Sequence, residues 1–376
     1  MTEAKIKIAM IGTGKRAEVV RELLAYAAGK AEIPVVYDPD HSRAEKFIRD
    51  LSLEGTRIVG TYQEAINWPG IEWVMVFSPN SFHRMHVTAA FQAGKHVFSE
   101  KPIATSLEDC KKIYDAHLAS GKLFATGFVL RYAPLYRKVK ELLDSGKFGK
   151  IMQIEANEHI TSNHGSHIMR NWRRHTDISG PHILEKCCHD LDLIIWYSQS
   201  LPSRIASFAS RDFFVPANRN IEEKYPKLFE GWYDAHALKS SFTGDTDLMD
   251  NQIVIAEMRN GIKVSFNATM YNCIPERRMF FHCTMGSLRV DLCSHLIQYR
   301  IIGSNEIHTI DIPGDGHAGG DPFIMKELFD TMTTGAKPKC SGSEGLESAV
   351  FALACDQAST TGQIVDLEPT WKSLQR

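Results

Sequence analysis

The sequence predicts an α/β protein of two domains, a parallel sheet wound on both faces and then an α/β domain with a large, mostly antiparallel open sheet. Its 376 residues point to more than one domain, because single hydrophobic cores stop growing at roughly 250–300 residues. Up to residue 127, apolar runs alternate strictly with helical patterns, which is typical of a parallel sheet. Beyond it, several strand-like segments follow one another with few helices between them, which favours antiparallel pairing. We therefore expect domains at residues 1–128 and 129–376, with C-terminal helices packing back on the first domain.

The elements of the first domain are short and regularly spaced. Strands are expected at residues 6–11, 33–37, 58–60, 73–78, 96–98 and 123–127. Helices are expected at residues 16–28, 42–51, 83–93 and 107–120. Open sheets of this kind bind ligands beyond the carboxyl ends of their strands, so the residues that follow each strand are the ones to inspect.

The second domain has longer strands and fewer helices. Strands are expected at residues 151–159, 204–210, 253–259, 262–270, 279–285, 287–292, 296–302 and 307–312. Helices are expected at residues 135–143, 181–197, 321–334 and 343–361. Asn260–Gly261 is typical of a hairpin turn between two of the strands. Residues 215–250 are rich in charged and aromatic residues, and we interpret them as an inserted excursion rather than core.

Composition excludes several classes of function. The formal net charge is −2 and no basic stripe is present, so we expect no nucleic-acid partner. No apolar run approaches membrane length, and the N-terminus passes directly into a strand, so neither a membrane span nor a signal peptide is expected. The eight cysteines form no CxxC pair, and the adjacent residues Cys187–Cys188–His189 would point in different directions on a helix. We therefore expect no metal and a cytoplasmic location.

A glycine-rich turn, GTGKRA, follows the first strand at residues 12–17. Small residues allow the backbone to approach a pyrophosphate, and the helix that follows presents its positive end to it. Asp38 ends the second strand, where a carboxylate can accept hydrogen bonds from a ribose diol. Because Pro39, and not a base, follows Asp38, NAD is expected in preference to NADP. The expected cofactor-binding residues here are Gly12, Thr13, Gly14, Lys15, Arg16 and Asp38; a purely structural glycine turn is the alternative.

Two further segments follow the fourth and fifth strands. Residues 78–83, SPNSFH, should also contact the cofactor, chiefly through the backbone of Ser78, Pro79 and Asn80. For His83, a cofactor contact and a surface ring at the start of a helix are both open interpretations.

The second of these segments is Glu100–Lys101–Pro102. Lys101 could hydrogen-bond both the nicotinamide ribose and a substrate hydroxyl, while Glu100 would hold its ammonium in place. A surface ion pair in a turn is the alternative.

The predicted helix at residues 181–197 carries a polar stripe at i, i+4 and i+7, formed by Glu185, His189 and Asp192. An imidazole titrates near neutral pH, and a carboxylate partner orients it and tunes its basicity. The stripe therefore suggests a proton-handling unit, although His189 taken by itself is better interpreted as a hydrogen-bonded core histidine.

Together these motifs resemble the Gfo/Idh/MocA oxidoreductases. The matching features are the GxGxxA turn, the acid after the second strand, SPNxxH, EKP and the later histidine with an aspartate three residues on. Residues 128–134, 335–338 and 361–365 are also similar to the family's domain-junction stretch and C-terminal motifs, so the resemblance covers nearly the whole chain. It implies a Rossmann domain, an open-sheet domain that supplies the substrate pocket, and reversible oxidation of a secondary hydroxyl on a sugar, cyclitol or derivative.

The resemblance also assigns roles to residues. Lys101 matches the family's lysine that touches substrate and nicotinamide, and His189 matches its usual proton acceptor. Many members have Asp four residues before that histidine, whereas this chain has Glu185, followed by Lys186. We expect Glu185 to assist catalysis and Lys186 to contact substrate.

Other substrate contacts are expected from the domain junction and from a loop at residues 157–174. The residues concerned are Arg131, Tyr132, Trp172 and Arg173, with His164 and His167 in the same loop as the last two. For the loop residues, a solvated loop or a subunit contact is the alternative. The open sheet is expected to form a homodimer or homotetramer. Two alternatives to a sugar dehydrogenase stay open: an NAD-retaining glycosidase that works by transient oxidation and elimination, and a non-catalytic sugar or dinucleotide sensor.

Overall fold

The computed structural model describes residues 5–232, 236–314 and 316–376. The chain divides into two compact units, Met1–Tyr132 with Gly319–Leu346, and Ala133–Ala318 with Glu347–Arg376. The expected domain boundary at residues 128/129 stays a prediction. No helix among the described residues is long and apolar enough to cross a membrane.

The first unit contains a six-stranded sheet of strand order β3-β2-β1-β4-β5-β6, in which every pairing is parallel. Its strands are β1 Ile6–Ile11, β2 Ala31–Tyr37, β3 Arg57–Ile58, β4 Trp73–Val76, β5 His96–Ser99 and β6 Phe124–Thr126. Central strands buried on both faces need continuous apolar runs, and both β1 and β4 have them. This is the predicted parallel sheet.

Helices flank the parallel sheet. They are Val20–Ala27, His41–Asp50, Tyr62–Ile66, His83–Gln92, Leu107–Ser120 and Asp321–Thr334. Short 3-10 helices lie at Lys15–Val19, Asn80–Phe82 and Val129–Tyr132. The helix expected from residue 16 thus begins as a tighter turn, and the short helix Tyr62–Ile66 was not predicted. A five-residue helix leaves too little periodicity to be recognised in a sequence.

The second unit contains a nine-stranded sheet of order β14-β13-β12-β11-β7-β10-β9-β8-β15. Its strands are β7 Ile151–Thr161, β8 Pro202–Ser210, β9 Asn251–Met258, β10 Lys263–Asn272, β11 Arg278–Cys283, β12 Gly286–Asp291, β13 Leu296–Ile301, β14 His308–Asp311 and β15 Val365–Asp366. The β7–β10 pair is parallel, and the other pairs are antiparallel. The predicted fold class, a Rossmann-type domain with a mostly antiparallel second sheet, is confirmed.

One face of this sheet is covered and the other is open. Along β9, Val254 and Ala256 are buried, whereas Ile253 and Ile255, which alternate with them, are exposed. The helices of this unit are Pro134–Asp144, Ser162–Arg170, Thr176–Ser179, His182–Glu185, Cys188–Ser198, Arg219–Lys224 and Glu368–Ser373; Gly342–Thr361 runs from the first unit into the second.

Two expectations about this unit were wrong. The continuous helix expected at residues 181–197 is interrupted between Glu185 and Cys188. There the Cys187 N–H lies 3.4 Å from the His182 carbonyl, five residues back, so the turn is wider than an α-helical turn. The loop expected at residues 157–174 is instead the end of β7, the helix Ser162–Arg170 and the tight turn Trp172–Arg174.

The interpretation of residues 215–250 as an excursion separate from core also needs correction. A buried apolar cluster combines side chains of this segment with Phe214, just before it, and with others from β7, β10 and the helix Ser162–Arg170. Its members are Ile160, Ile168, Met169, Phe214, Phe229, Phe242, Leu248 and Met270. The segment therefore has an apolar core of its own, which holds the helix Ser162–Arg170 in place.

Candidate active site

The glycine-rich turn is shaped by two glycines with different constraints. Gly12 has a φ of +84°, and a Cβ there would lie 2.7 Å from the Phe77 carbonyl carbon and the Ser78 nitrogen, so only glycine fits. Gly14 has an ordinary φ of −66°, and a Cβ there would meet nothing within 4 Å. Open space beside a helix start is what a pyrophosphate requires, so this turn can hold a dinucleotide.

Asp38 fixes this turn from the end of β2. Its Oδ2 accepts from the Thr13 backbone N–H at 2.8 Å and from the Thr13 hydroxyl at 2.9 Å, while Oδ1 accepts from the Asp40 N–H at 3.0 Å. The carboxylate is buried. Asp38 thus orients the glycine-rich turn, a role that the sequence did not predict, and its ribose contact stays a prediction.

The side chains of Arg16 and Lys15 point to different environments, although the two residues are adjacent. The Lys15 side chain is 89% exposed and pairs with Glu18. Arg16 turns inward, where its Nε donates to Glu100 Oε1 at 2.7 Å and its Nη1 lies 2.7 Å from Asp321. Glu100 also accepts from the Lys101 backbone N–H at 3.1 Å. The side-chain partner of Glu100 described here is therefore Arg16, and a contact with the Lys101 ammonium stays a prediction.

His83 holds two of the predicted segments together. Its ring is buried, with Nδ1 2.7 Å from the Pro102 carbonyl oxygen and Nε2 2.8 Å from the Ser78 carbonyl oxygen. The interpretation of His83 as a surface ring was therefore wrong. The peptide bond before Pro102 is cis. With both ring nitrogens against backbone carbonyls, His83 connects the segments that carry Asn80, which is buried, and Lys101.

Ser78 and Tyr132 have side-chain partners of their own. The Ser78 hydroxyl lies 2.9 Å from His86 Nδ1. The Tyr132 hydroxyl donates to Glu327, and burial together with nearby negative charge raises the Tyr132 pKa well above its usual value. Arg131 is partly exposed in the same tight turn. The expected substrate contacts of Arg131 and Tyr132 stay predictions.

In the second unit, His189 lies in the first turn of the helix Cys188–Ser198 and is only 3% exposed. Glu185 ends the preceding short helix, and its Oε1 accepts from Arg173 Nε at 2.8 Å. Because the helix is interrupted between them, Glu185, His189 and Asp192 do not form the single helical stripe that was expected. Asp192 is buried in the same helix as His189.

A buried ionic network includes Asp190, the residue that follows His189. Arg277 donates two hydrogen bonds to Asp190, at 2.8 and 2.7 Å, and its Nη1 lies 3.2 Å from Glu158. The Lys186 ammonium lies 3.8 Å from the same Glu158 carboxylate. Burial alone would raise the Glu158 pKa, but Arg277 and Lys186 outweigh burial and lower it. Sequence reasoning missed this network because its members come from separate strands and helices.

Glu158, His182 and Cys187 offer ligand atoms within 4.8 Å of one another, a spacing compatible with a metal ion. The Cys187 thiol, however, donates to Glu158 at 3.2 Å, and burial raises the thiol pKa well above its usual value. Arg277 and Lys186 already supply positive charge to Glu158. The cluster is accordingly described best as part of the ionic network.

The remaining predicted residues lie near aromatic rings. The Arg173 guanidinium stacks 4.3 Å from the centre of the Trp172 ring. His164 and His167 both contact the exposed Trp232, with ring centroids 4.6 and 4.5 Å away. Trp232 was not singled out from the sequence, because it lies 68 and 65 residues along the chain from His164 and His167, in a segment without periodicity.

The parallel sheet and its glycine-rich turn define a protein with a dinucleotide-binding Rossmann domain. Comparison with protein families agrees: residues 6–128 match the oxidoreductase family with an NAD-binding Rossmann fold, and residues 136–289 match the GFO/IDH/MocA C-terminal domain. The chain therefore belongs to the Gfo/Idh/MocA family of oxidoreductases. The predicted family and enzyme class are confirmed.

Curated relatives resemble the chain along nearly its whole length. An inositol 2-dehydrogenase of Pseudomonas syringae pv. syringae is 30% identical over 96% of this chain and 96% of its own. An inositol 2-dehydrogenase of Azotobacter vinelandii is 25% identical over 96% of this chain and 95% of its own.

Solved structures share the fold at lower sequence identity. A levoglucosan dehydrogenase in complex with NADH and levoglucosan has a TM-score of 0.81 at 18% identity, covering 97% of this chain and all of its own. The WlbA dehydrogenase from Bordetella pertussis, in complex with NADH and UDP-GlcNAcA, has a TM-score of 0.78 at 18% identity, covering 98% of this chain and 99% of its own. At these identities the likeness concerns the fold.

Proposed function

We propose that this oxidoreductase uses NAD to oxidise, reversibly, a secondary hydroxyl of a sugar, cyclitol or sugar derivative. The observation that carries the proposal is the combination in one chain of a dinucleotide turn after β1, a lysine just beyond the end of β5 and a buried imidazole. Bound NAD supplies the hydride acceptor, and the protein supplies orientation and proton handling. Gly12, Thr13, Gly14 and the residues at the ends of β4 and β5 would hold the cofactor.

His189 is the proposed proton acceptor, since an imidazole can take a hydroxyl proton near neutral pH. Lys101 is proposed to hydrogen-bond the same hydroxyl, because a positive charge nearby favours loss of its proton. Glu185 is proposed to assist indirectly: its 2.8 Å hydrogen bond from Arg173 supports a role in placing that guanidinium against the substrate.

A preference for NAD over NADP is proposed from charge at the end of β2. Asp38 and Asp40 would place two carboxylates near a 2′-phosphate, and the Arg43 guanidinium lies 3.7 Å from the Asp40 carboxylate, which offsets its charge. We expect KM for NADP to exceed that for NAD by more than about tenfold, a difference that steady-state kinetics with both cofactors would measure.

The proposed substrate class rests on the relatives and on the polar residues of the second unit. Two relatives that are 25% and 30% identical to this chain are named inositol 2-dehydrogenases, which act on a cyclitol. Trp172 offers an apolar face for a sugar ring, and Arg131, Arg173 and Lys186 offer donors for hydroxyl or acidic groups.

We also propose a cytoplasmic location, since the eight cysteines are free thiols and reduced thiols fit that compartment.

Self-association through the open face of the second sheet is proposed as well. Phe208 on β8 is 77% exposed and pairs across the sheet with Ile253, while Ile255 is 61% exposed. Exposed apolar side chains grouped on one sheet face are typical of interaction surfaces. Light scattering should give a dimer or tetramer for the wild type and a smaller species for Phe208→Asp; a monomeric wild type would contradict the proposal.

The test of the main proposal is nicotinamide absorbance after adding NAD and a panel of cyclitols, aldoses and sugar acids, with Lys101→Met as control. Steady NADH formation with one compound, lowered by a factor of about 10² or more in the variant, supports the dehydrogenase. Turnover of a glycoside without net NADH would favour the glycosidase alternative. Tight ligand binding without turnover of any compound would favour the sensor.

A further inference from the structure

His317 presents a second imidazole to His189, and the sequence did not point to it. It lies in the segment between β14 and the helix Asp321–Thr334. The centroids of the two rings are 6.1 Å apart, with their planes tilted by 49°. His189 is nearly inaccessible, whereas His317 is partly exposed.

The backbone around His317 is held in an uncommon conformation. Gly316 has a φ of +49°, and Ala318, which is buried, has a φ of +54°. A Cβ at Gly314 would lie 2.7 Å from the Ala318 carbonyl carbon, so the two sides of the turn are in close contact. A non-glycine residue in the left-handed region costs on the order of 1 kcal/mol, and such residues cluster at functional positions. The turn therefore fixes the position of His317 beside His189.

The proposed reaction requires a route for protons between His189 and solvent, and His317 can provide one. Each oxidation transfers one proton from a hydroxyl to His189, and that proton must reach solvent before the next turnover. A ring that is 3% exposed has almost no solvent contact of its own. His164 is a poor carrier, because burial together with Lys186 lowers its pKa to about 2.

The distance between the rings suits an indirect transfer. Hydrogen bonds between ring nitrogens and oxygens are about 3 Å long, so rings whose centroids are 6.1 Å apart can share one water molecule, or one substrate hydroxyl other than the one oxidised. We propose that His317 passes the proton between His189 and solvent through one bridging hydroxyl group. This relay rests on the proposed dehydrogenase function and deepens it.

The proton balance of the relay is simple and moves no electrons. His189, once protonated, gives its proton to the bridging oxygen, and that oxygen gives another proton to His317, which releases it to solvent. In the direction of reduction each transfer is reversed.

A single-turnover experiment tests the relay directly. NADH formation is followed by absorbance and proton release by a pH-indicator dye, for the wild type, His317→Gln and the control His308→Gln on β14. In the wild type and the control the two traces should coincide. In His317→Gln, proton release should lag NADH formation by about tenfold, and added imidazole should shorten the lag, which a merely structural role would not produce.

Coincident traces in His317→Gln, or a lag that imidazole does not shorten, would overturn the relay while leaving the dehydrogenase intact. A wild type that forms no NADH with any compound would instead contradict the proposed function. In that case a crystal structure of the protein decides: an ordered oxygen within hydrogen-bonding distance of both rings supports the relay. A protein side chain between the rings, or no such oxygen, overturns it.

Discussion

The guanidinium of Arg16 lies 2.7 Å from the carboxylate of Glu100, so the glycine-rich turn is tied directly to the segment that carries Lys101. Burial alone would lower the Arg16 pKa, but Glu100 and Asp321 raise it, which keeps the side chain charged. Arg16 and Glu100, which the sequence suggested for separate contacts around a cofactor, are therefore joined in one ion pair.

Arg16→Met should lower the free energy of unfolding by about 1–3 kcal/mol, because it leaves the buried Glu100 carboxylate without its cation. Lys15→Met is the matched control. Lys15 is adjacent and 89% exposed, and exposed pairs contribute about 0–1 kcal/mol. Urea unfolding of both variants measures the difference, and equal losses would contradict the connection.

Gly14→Ala should weaken cofactor binding while leaving the stability of the fold unchanged. Its Cβ meets nothing within 4 Å, so urea stability should stay within about 0.5 kcal/mol of the wild type. NAD affinity, measured by calorimetry, should fall about tenfold or more, because the methyl group takes the space that a pyrophosphate needs.

Gly60→Ala is the control for that experiment, since a Cβ there also meets nothing within 4 Å and lies outside the turn. Unchanged NAD affinity in Gly14→Ala would place the pyrophosphate elsewhere. Gly12→Ala, by contrast, should destabilise the fold itself, because of its φ of +84° and its 2.7 Å approach to Phe77 and Ser78.

Arg277→Met should be among the most destabilising single changes in the second unit. It leaves the buried carboxylates of Glu158 and Asp190 without their shared guanidinium, and breaking a buried ion pair costs about 3–5 kcal/mol. Arg278→Met is the control, because that side chain is about a third exposed and lies 3.5 Å from Glu276. Similar urea midpoints for the two variants would refute the importance of the network.

His86 should make stability depend on pH. Burial, followed by the nearby His83, lowers the His86 pKa from 6.5 to about 4. Between these values the unfolded chain binds a proton that the folded chain does not, so stability falls as the pH falls. His86 alone should account for about 2 kcal/mol between about pH 7 and pH 5.

The measurement for this prediction is urea unfolding at both pH values. His86→Gln should lose about 2 kcal/mol less than the wild type on acidification. His308→Gln, on β14, should lose as much as the wild type does. A loss in His86→Gln as large as that of the wild type would assign the pH dependence to other groups.

The sequence by itself determined the fold class, the family and the positions of Gly12, Lys101 and His189. These features are local: alternating strand and helix patterns, and short motifs whose residues lie within a few positions of one another. Fold class follows because buried parallel strands require continuous apolar runs, which a sequence displays directly.

Only the tertiary structure decided how the site residues are held. The widened turn at Cys187 separates Glu185 from His189, although both suit one continuous helix by periodicity. Arg277 reaches Asp190 across 87 positions of the chain. His317 reaches His189 from a turn that has no pattern of its own. Such contacts depend on how distant segments pack, and neither propensity nor spacing within one segment contains that information.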